Sequence, residues 1–131
     1  MNREEKRIED VLKQYEAALN ASNTDAVLDL YTEDGVFMPQ HFPSSVGSVA
    51  VRQAYDGVFS AIHLSIKFEV VEIHQVAAHW AFARTNSTGT VKVHANGQSG
   101  PESNQELFVL QNIADQWKIA RYCFSTTNPP A

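Results

Sequence analysis

Tyr15, His41, Arg84 and Glu106 are the side chains whose types and positions suit proton transfer or the polarising of a carbonyl. A tyrosine on the buried stripe of a helix carries a hydrogen-bond donor inward. Arg84 and Glu106 fall in mid-strand rather than at turns, where their charge bears on a packed sheet. His41 lies in a loop, and histidine is a residue type suited to giving and taking a proton. Such a set can stabilise an enolate while His41, or Glu106 with its pKa raised by burial, moves the proton.

The elements that must position these residues follow from periodicity. Ile8, Val11, Leu12, Tyr15 and Leu19 recur at helical spacing, and Asn2 with Glu5 has the form of a capping box. A helix over residues 3–21 with Tyr15 facing inward is therefore expected. Ser22-Asn23-Thr24 breaks the pattern, and Asn23 or Thr24 caps a second helix with Val27, Leu30 and Tyr31 on one face. Thr32-Glu33-Asp34-Gly35 is the expected turn into a short strand, Val36-Phe37-Met38, which Pro39 stops. After the polar loop HFPSSVG, Ser48 is expected to cap a third helix whose stripe is Val51, Tyr55, Val58, Phe59 and Ile62. Beyond it the sequence reads as strands over 64–73, 80–93, 102–111 and 117–127, with connections at Asn96-Gly97 and over 113–116.

Alternation along the strands predicts which residues share a face. If Phe82 faces inward, Arg84, Asn86 and Thr88 share its side; Asn104, Glu106 and Phe108 share a side in the next strand, and Tyr122 with Phe124 in the last. A buried Arg84 then needs Glu106, because an unpaired buried charge costs several kcal/mol. The alternative is an exposed cross-strand pair worth only ~0.2–1 kcal/mol. Tyr15 likewise reads either as a donor into a pocket or as a core aromatic with a satisfied hydroxyl, and His41 either as a catalytic or as a surface residue. The expected pocket walls are Tyr31, Phe37, Met38, Tyr55, Phe82, Arg84, Asn86, Asn104, Phe108, Tyr122 and Phe124.

Composition narrows the function classes. A chain of 131 residues that is 44% hydrophobic suits one globular domain, 1–131, with a core that needs no staples. With 10 basic against 15 acidic residues the net charge is −5, and no basic run exceeds Lys6-Arg7. Nucleic-acid binding is not expected. The single cysteine forms no internal disulfide, and the histidines lack metal-ligand spacing, so no metal site is expected. A charged N-terminus and the absence of a long apolar run point to a cytoplasmic protein without membrane contact. There is no glycine-rich phosphate loop, so no nicotinamide or flavin cofactor is expected.

Three helices followed by an antiparallel meander make an α+β layout in which a strongly curved sheet closes over the helices as a cone, with a pocket in its mouth. The register Tyr15-x-x-Ala18-Leu19-Asn20-Ala21, then Leu30-Tyr31-x-x-Asp34-Gly35, Ala81-Phe82-Ala83 and Glu106-Leu107-Phe108, resembles the nuclear transport factor 2-like superfamily. HFPSSVG, HWAFARTNSTGTV, NQELFVLQN and WKIARYCFSTTNP are similar to its SnoaL-like branch, and especially to SgcJ/EcaC-type proteins of polyketide and enediyne biosynthesis. The resemblance implies a cone-shaped fold over nearly the whole chain. It also sets Tyr15 where ketosteroid isomerases keep an oxyanion-hole tyrosine, and Glu106 where they keep a protonated aspartic acid. Their general-base aspartate falls on Met38-Pro39 here, so isomerisation by that route is not expected.

Two readings follow. One is a pocket protein for a hydrophobic, oxygen-bearing small molecule, acting as a cofactor-free tailoring or accessory enzyme of the isomerase, cyclase or dehydratase type in polyketide-like metabolism. The other is a non-catalytic binding or oligomerisation module resembling the calmodulin-dependent kinase association domain. In either case the open sheet face is expected to form a homodimer, through residues such as Thr85, Ser87, Leu107 and Val109.

Overall fold

A computed structural model describes residues 1–130; Ala131, the last residue of the expected tail and of the expected domain 1–131, lies outside the described residues. Helix α1 (Arg3–Asn20) opens on the capping box: the Asn2 side chain accepts from the Glu5 amide at 2.8 Å, and the Glu5 carboxylate accepts from the Asn2 amide at 3.2 Å. Helix α2 (Thr24–Asp29) is capped by Asn23, whose side chain accepts from the Ala26 amide. Strands β1 (Tyr31–Met38) and β2 (Ser45–Val46) then precede helix α3 (Ser48–Ala61), and β3 (Ile62–Ala77), β4 (Trp80–Val93), β5 (Ser99–Ile113) and β6 (Gln116–Thr126) complete the chain. The strand order is β2-β1-β6-β5-β4-β3. β3 to β6 form the antiparallel meander, and β1 joins its far side parallel to β6.

The curvature has local causes. A bulge interrupts β3 between Val70 and Glu72, and the β5–β6 register shifts between Val109 and Leu110, which adds twist to an already twisted sheet. At Gly89 (φ 156) β3 and β4 approach so closely that a Cβ would lie 2.1 Å from the Ser65 carbonyl oxygen. β3 is an edge, and α1 covers it: Asn20 both donates to and accepts from the Ile66 backbone at 2.8 Å, and Glu16 accepts from the Phe68 amide at 2.6 Å. At Ile66 and Phe68, helix side chains thus meet backbone groups that an edge strand would otherwise offer to a second chain.

Three local expectations are corrected. Tyr31 is not on the face of α2 but opens β1, because the Leu30 carbonyl accepts from the Ile119 amide at 2.7 Å and draws the chain into the sheet at once. The polar loop contains the short strand β2, which pairs Ser45 with Phe37 and Val46 with Val36. Ser48 does not cap α3; the N-cap is Gly47 at φ 85, and the Ser48 hydroxyl donates to the Glu33 carbonyl instead. Among the described residues no helix is long and apolar enough to cross a membrane.

Candidate functional site

The stripe of α1 and the inner faces of β1, β5 and β6 converge on one cavity of about 220 Å³. Its apolar walls include Leu19, Phe37, Leu64, Phe68 and Phe124, and its polar lining residues are Tyr15, Tyr55, Ser87, Asn104, Glu106, Tyr122 and the more exposed Glu102. Tyr15 packs edge-on against Phe108 and Tyr122 with ring centroids 5.6 and 5.3 Å away, so little but its hydroxyl is free to act.

That hydroxyl ends a chain of three. Tyr15 Oη lies 2.6 Å from Tyr55 Oη, which lies 2.7 Å from Tyr31 Oη. Burial pushes the pKa of Tyr15 up, against the lowering effect of its bond to Tyr55, and pushes those of Tyr31 and Tyr55 well up, so all three are protonated at neutral pH. Three protons and two internal bonds leave one proton over, at Tyr15, at Tyr31 or, where Tyr55 accepts from both, at Tyr55. Tyr31 is 4% exposed, does not line the cavity, and among the described residues its hydroxyl meets only Tyr55. Leaving the spare proton there would bury an unsatisfied donor at ~1–3 kcal/mol. The spare proton therefore faces the cavity, from Tyr55 if it accepts from both neighbours, or from Tyr15 in the order Tyr31 to Tyr55 to Tyr15, where the bonds behind it strengthen it as a donor.

Glu106 is 5% exposed, and each carboxylate oxygen accepts one hydroxyl at 2.6 Å, from Thr85 and from Ser87. Burial raises its pKa, opposed by those two hydroxyls. Because hydroxyls rotate, the shell can serve either protonation state. Asn104 is 8% exposed; its amide nitrogen donates to Glu102 at 2.9 Å, while its Oδ1 has no partner among the described residues. The cavity thus combines tyrosine hydroxyls, one carboxyl of raised pKa and one unmet acceptor among aromatic walls.

The expected site residues do not all meet there. Tyr15, Phe37, Tyr55, Asn104, Glu106, Tyr122 and Phe124 line the cavity, with Phe108 and Tyr31 packed behind them. Phe82, Arg84 and Asn86 are corrected to the outer face, since Ala81, Ala83, Thr85 and Ser87 are the buried set of β4. Phe82 packs tilted against His74 with ring centroids 5.1 Å apart, and Arg84 pairs with Glu72 rather than Glu106. Alternation also turns Met38 away from the cavity, because Phe37 is the residue 3% exposed. His41 is exposed in its loop at φ 71, bonded to Gln40 at 2.7 Å, and does not line the cavity. Thr85 and Ser87, the partners of Glu106, are missing from the expected set of walls. Their signal was the alternation of small residues from Ala81 to Ser87, which the larger Phe82 masked.

Residues 11–120 match the model of the SnoaL-like domain family. No curated protein matches the chain. Among solved structures it is similar to a ketosteroid isomerase-like protein from Erwinia carotovora atroseptica SCRI1043, at 36% identity over 98% of this chain and 100% of that one, with a TM-score of 0.94. It is also similar to a candidate scytalone dehydratase from Novosphingobium aromaticivorans (19% identity, 95% and 85% covered, TM-score 0.85). A nuclear transport factor 2-like superfamily protein from Salmonella enterica serovar Typhimurium matches at 16% identity, with 97% and 93% covered and a TM-score of 0.83. The last two likenesses show the fold.

Proposed function

The chain belongs to the SnoaL-like domain family, and from that premise we propose that its cone binds a hydrophobic small molecule bearing at least two oxygen functions and catalyses a cofactor-free acid/base step on it. The observation that carries this reading is the placement of a buried carboxyl of raised pKa, Glu106, in the same cavity as Tyr15 and Tyr55 of the tyrosine chain. A ligand carbonyl accepts from Tyr15, and a ligand hydroxyl can meet the unpartnered Asn104 Oδ1. Ionised Glu106 takes a proton from the carbon beside the carbonyl, and Tyr15 stabilises the enolate oxygen. The proton then returns to another carbon in an isomerisation, or to a departing hydroxyl as water in a dehydration. Neither His41 nor Arg84 is needed.

The setting we infer is a tailoring or accessory step of polyketide-like metabolism in the cytoplasm, by a single domain resembling the SgcJ/EcaC type. With Met38-Pro39 in place of an isomerase base, proton transfer rests on Glu106. Native mass spectrometry after incubation with a metabolite extract is expected to show a retained small molecule that Tyr15→Phe retains less. Protein that emerges empty from every extract would contradict the binding role.

We also propose a homodimer through the outer face of the sheet. Trp80 and Leu107 are each 41% exposed there, beside the half-buried Phe82 and Val109, an apolar patch of the kind that marks interfaces. Thr85 and Ser87, expected in this interface from the sequence, are interior and play no part in it. Light scattering at micromolar protein is expected to give twice the chain mass, and Leu107→Arg half of that. A monomeric wild type would refute the interface.

A further inference from the structure

Along the inner face of β5 the alternate residues Glu102, Asn104 and Glu106 stand in a row, roughly 6.4–6.8 Å apart by the rise of a strand, and all three line the cavity. Exposure grows along the row: Glu106 is 5% and Asn104 8% exposed, while Glu102 is half-buried. Glu102 therefore marks the open end. Among the described residues that line the cavity two carry carboxyl groups, and none is Lys, Arg or His.

Two features at this end have no use in the fold itself. Among the described residues Glu102 enters no ion pair, and its side chain accepts from the Asn104 amide nitrogen at 2.9 Å. Its neighbour in β4 is Gly89, which sets no side chain beside it. A carboxylate accepts and does not donate, so Glu102 holds the amide with its nitrogen towards itself and its carbonyl oxygen away. That oxygen, Asn104 Oδ1, is buried without a partner in a residue that lines the cavity. A buried acceptor is costly to leave unmet, and a donor on a ligand removes that cost.

We propose that Glu102 is a specificity residue of the cavity: it orients Asn104 to receive a hydrogen-bond donor and repels anions, so the ligand carries an O–H or ammonium N–H group one ring away from its carbonyl, and no carboxylate or phosphate. This rests on the small-molecule reading of the cone above and adds the charge of the ligand and the polarity of its second group. With the carbonyl near Glu106, a single para-substituted ring spans one step of the row and brings its donor to Asn104. The aromatic walls accept a neutral ring and, through their negative faces, a cation as well. An anion at the open end would meet Glu102 with no basic lining residue to receive it.

The experiment is a calorimetric titration of four acetophenones, alike except for a para hydroxyl, aminomethyl, methoxy or carboxylate group, into wild type, Glu102→Gln and Glu102→Lys at neutral pH. In wild type the hydroxyl or the aminomethyl compound is expected to bind roughly tenfold more tightly than the methoxy one, the worth of meeting one buried acceptor, and the carboxylate most weakly of the four. Whichever of the first two leads names the donor. Glu102→Gln still accepts from Asn104, so it keeps the preference for a donor and loses only the exclusion of the carboxylate. In Glu102→Lys the ammonium donates where Glu102 accepted, the Asn104 amide turns its oxygen to it, and the order reverses: the donor advantage disappears and the carboxylate gains roughly tenfold as repulsion becomes attraction. The methoxy compound, which uses neither group, binds all three proteins alike and reports an intact cavity. If it binds wild type as tightly as both donors do, or if the carboxylate binds neither variant better than wild type, Glu102 and Asn104 do not select the ligand and the cone stands without this inference. If none of the four binds wild type, the reading of the cone fails and this inference falls with it.

Discussion

Glu106→Gln is expected to slow the proposed proton transfer by about 10²–10⁴-fold while leaving the fold more stable than wild type at neutral pH. Glutamine can accept one of the two surrounding hydroxyls and donate to the other, because Thr85 and Ser87 rotate to suit. The shell therefore survives, and only the titrating proton is lost. The stability follows from the raised pKa of Glu106, whose main cause is burial. As pH rises past the ordinary value of 4.5, the unfolded chain gives up this proton before the folded one does. The folded state then binds more protons, so wild-type stability falls as pH climbs towards the folded-state pKa. Each tenfold preference of the fold for the protonated acid removes about 1.4 kcal/mol above that point. In denaturant melts the variant should gain on wild type from acid to neutral pH, and in D₂O it should lose α-proton exchange of a bound ketone. A variant less stable than wild type at neutral pH would show that the ionised carboxylate is not a burden to the fold.

Tyr55→Phe is expected to cost more stability than any other single hydroxyl in the site. Its ring stacks on Phe37 at 4.5 Å and that packing is kept, but its oxygen is the middle of the chain. Removing it deprives Tyr15 and Tyr31 of their shared partner in a nearly dry interior, at ~1–3 kcal/mol for each group left unmet. Tyr15→Phe, by contrast, leaves the Tyr31–Tyr55 bond intact and keeps its edge-on ring contacts. Thermal melts should rank wild type, then Tyr15→Phe close behind, then Tyr55→Phe well below. Equal melting of the two variants would mean that the three hydroxyls do not act as one chain.

Much of this arrangement was legible in the residues. Asn2 and Glu5 announced α1 because a capping box is local chemistry, and the inward turn of Tyr15 followed from a regular apolar stripe. The long alternation of β5 and β6 set Glu106 on the same side as Phe108, and Tyr122 on the same side as Phe124. What failed was the parity of β4. The inner face there is Ala81, Ala83, Thr85 and Ser87, with Phe108 opposite Ala83 and Phe68 opposite Ser87 in the neighbouring strands, and the large residue Phe82 is on the outside. A rule that sends bulk inward inverts in such a crowded cone. β2 was hidden for another reason: two residues carry no periodicity, and their strand exists only because β1 offers them an edge.

The account rests on Tyr15 as a donor into the cavity rather than a core aromatic. Titration of a para-alkylphenol into wild type and Tyr15→Phe at neutral pH separates the two roles in one measurement. Binding to Tyr15→Phe is expected to weaken by ~0.5–1.5 kcal/mol for a neutral ligand oxygen, and by more for a charged one, with the melting temperature little changed. Equal affinity for the two proteins would contradict the account and return Tyr15 to the core.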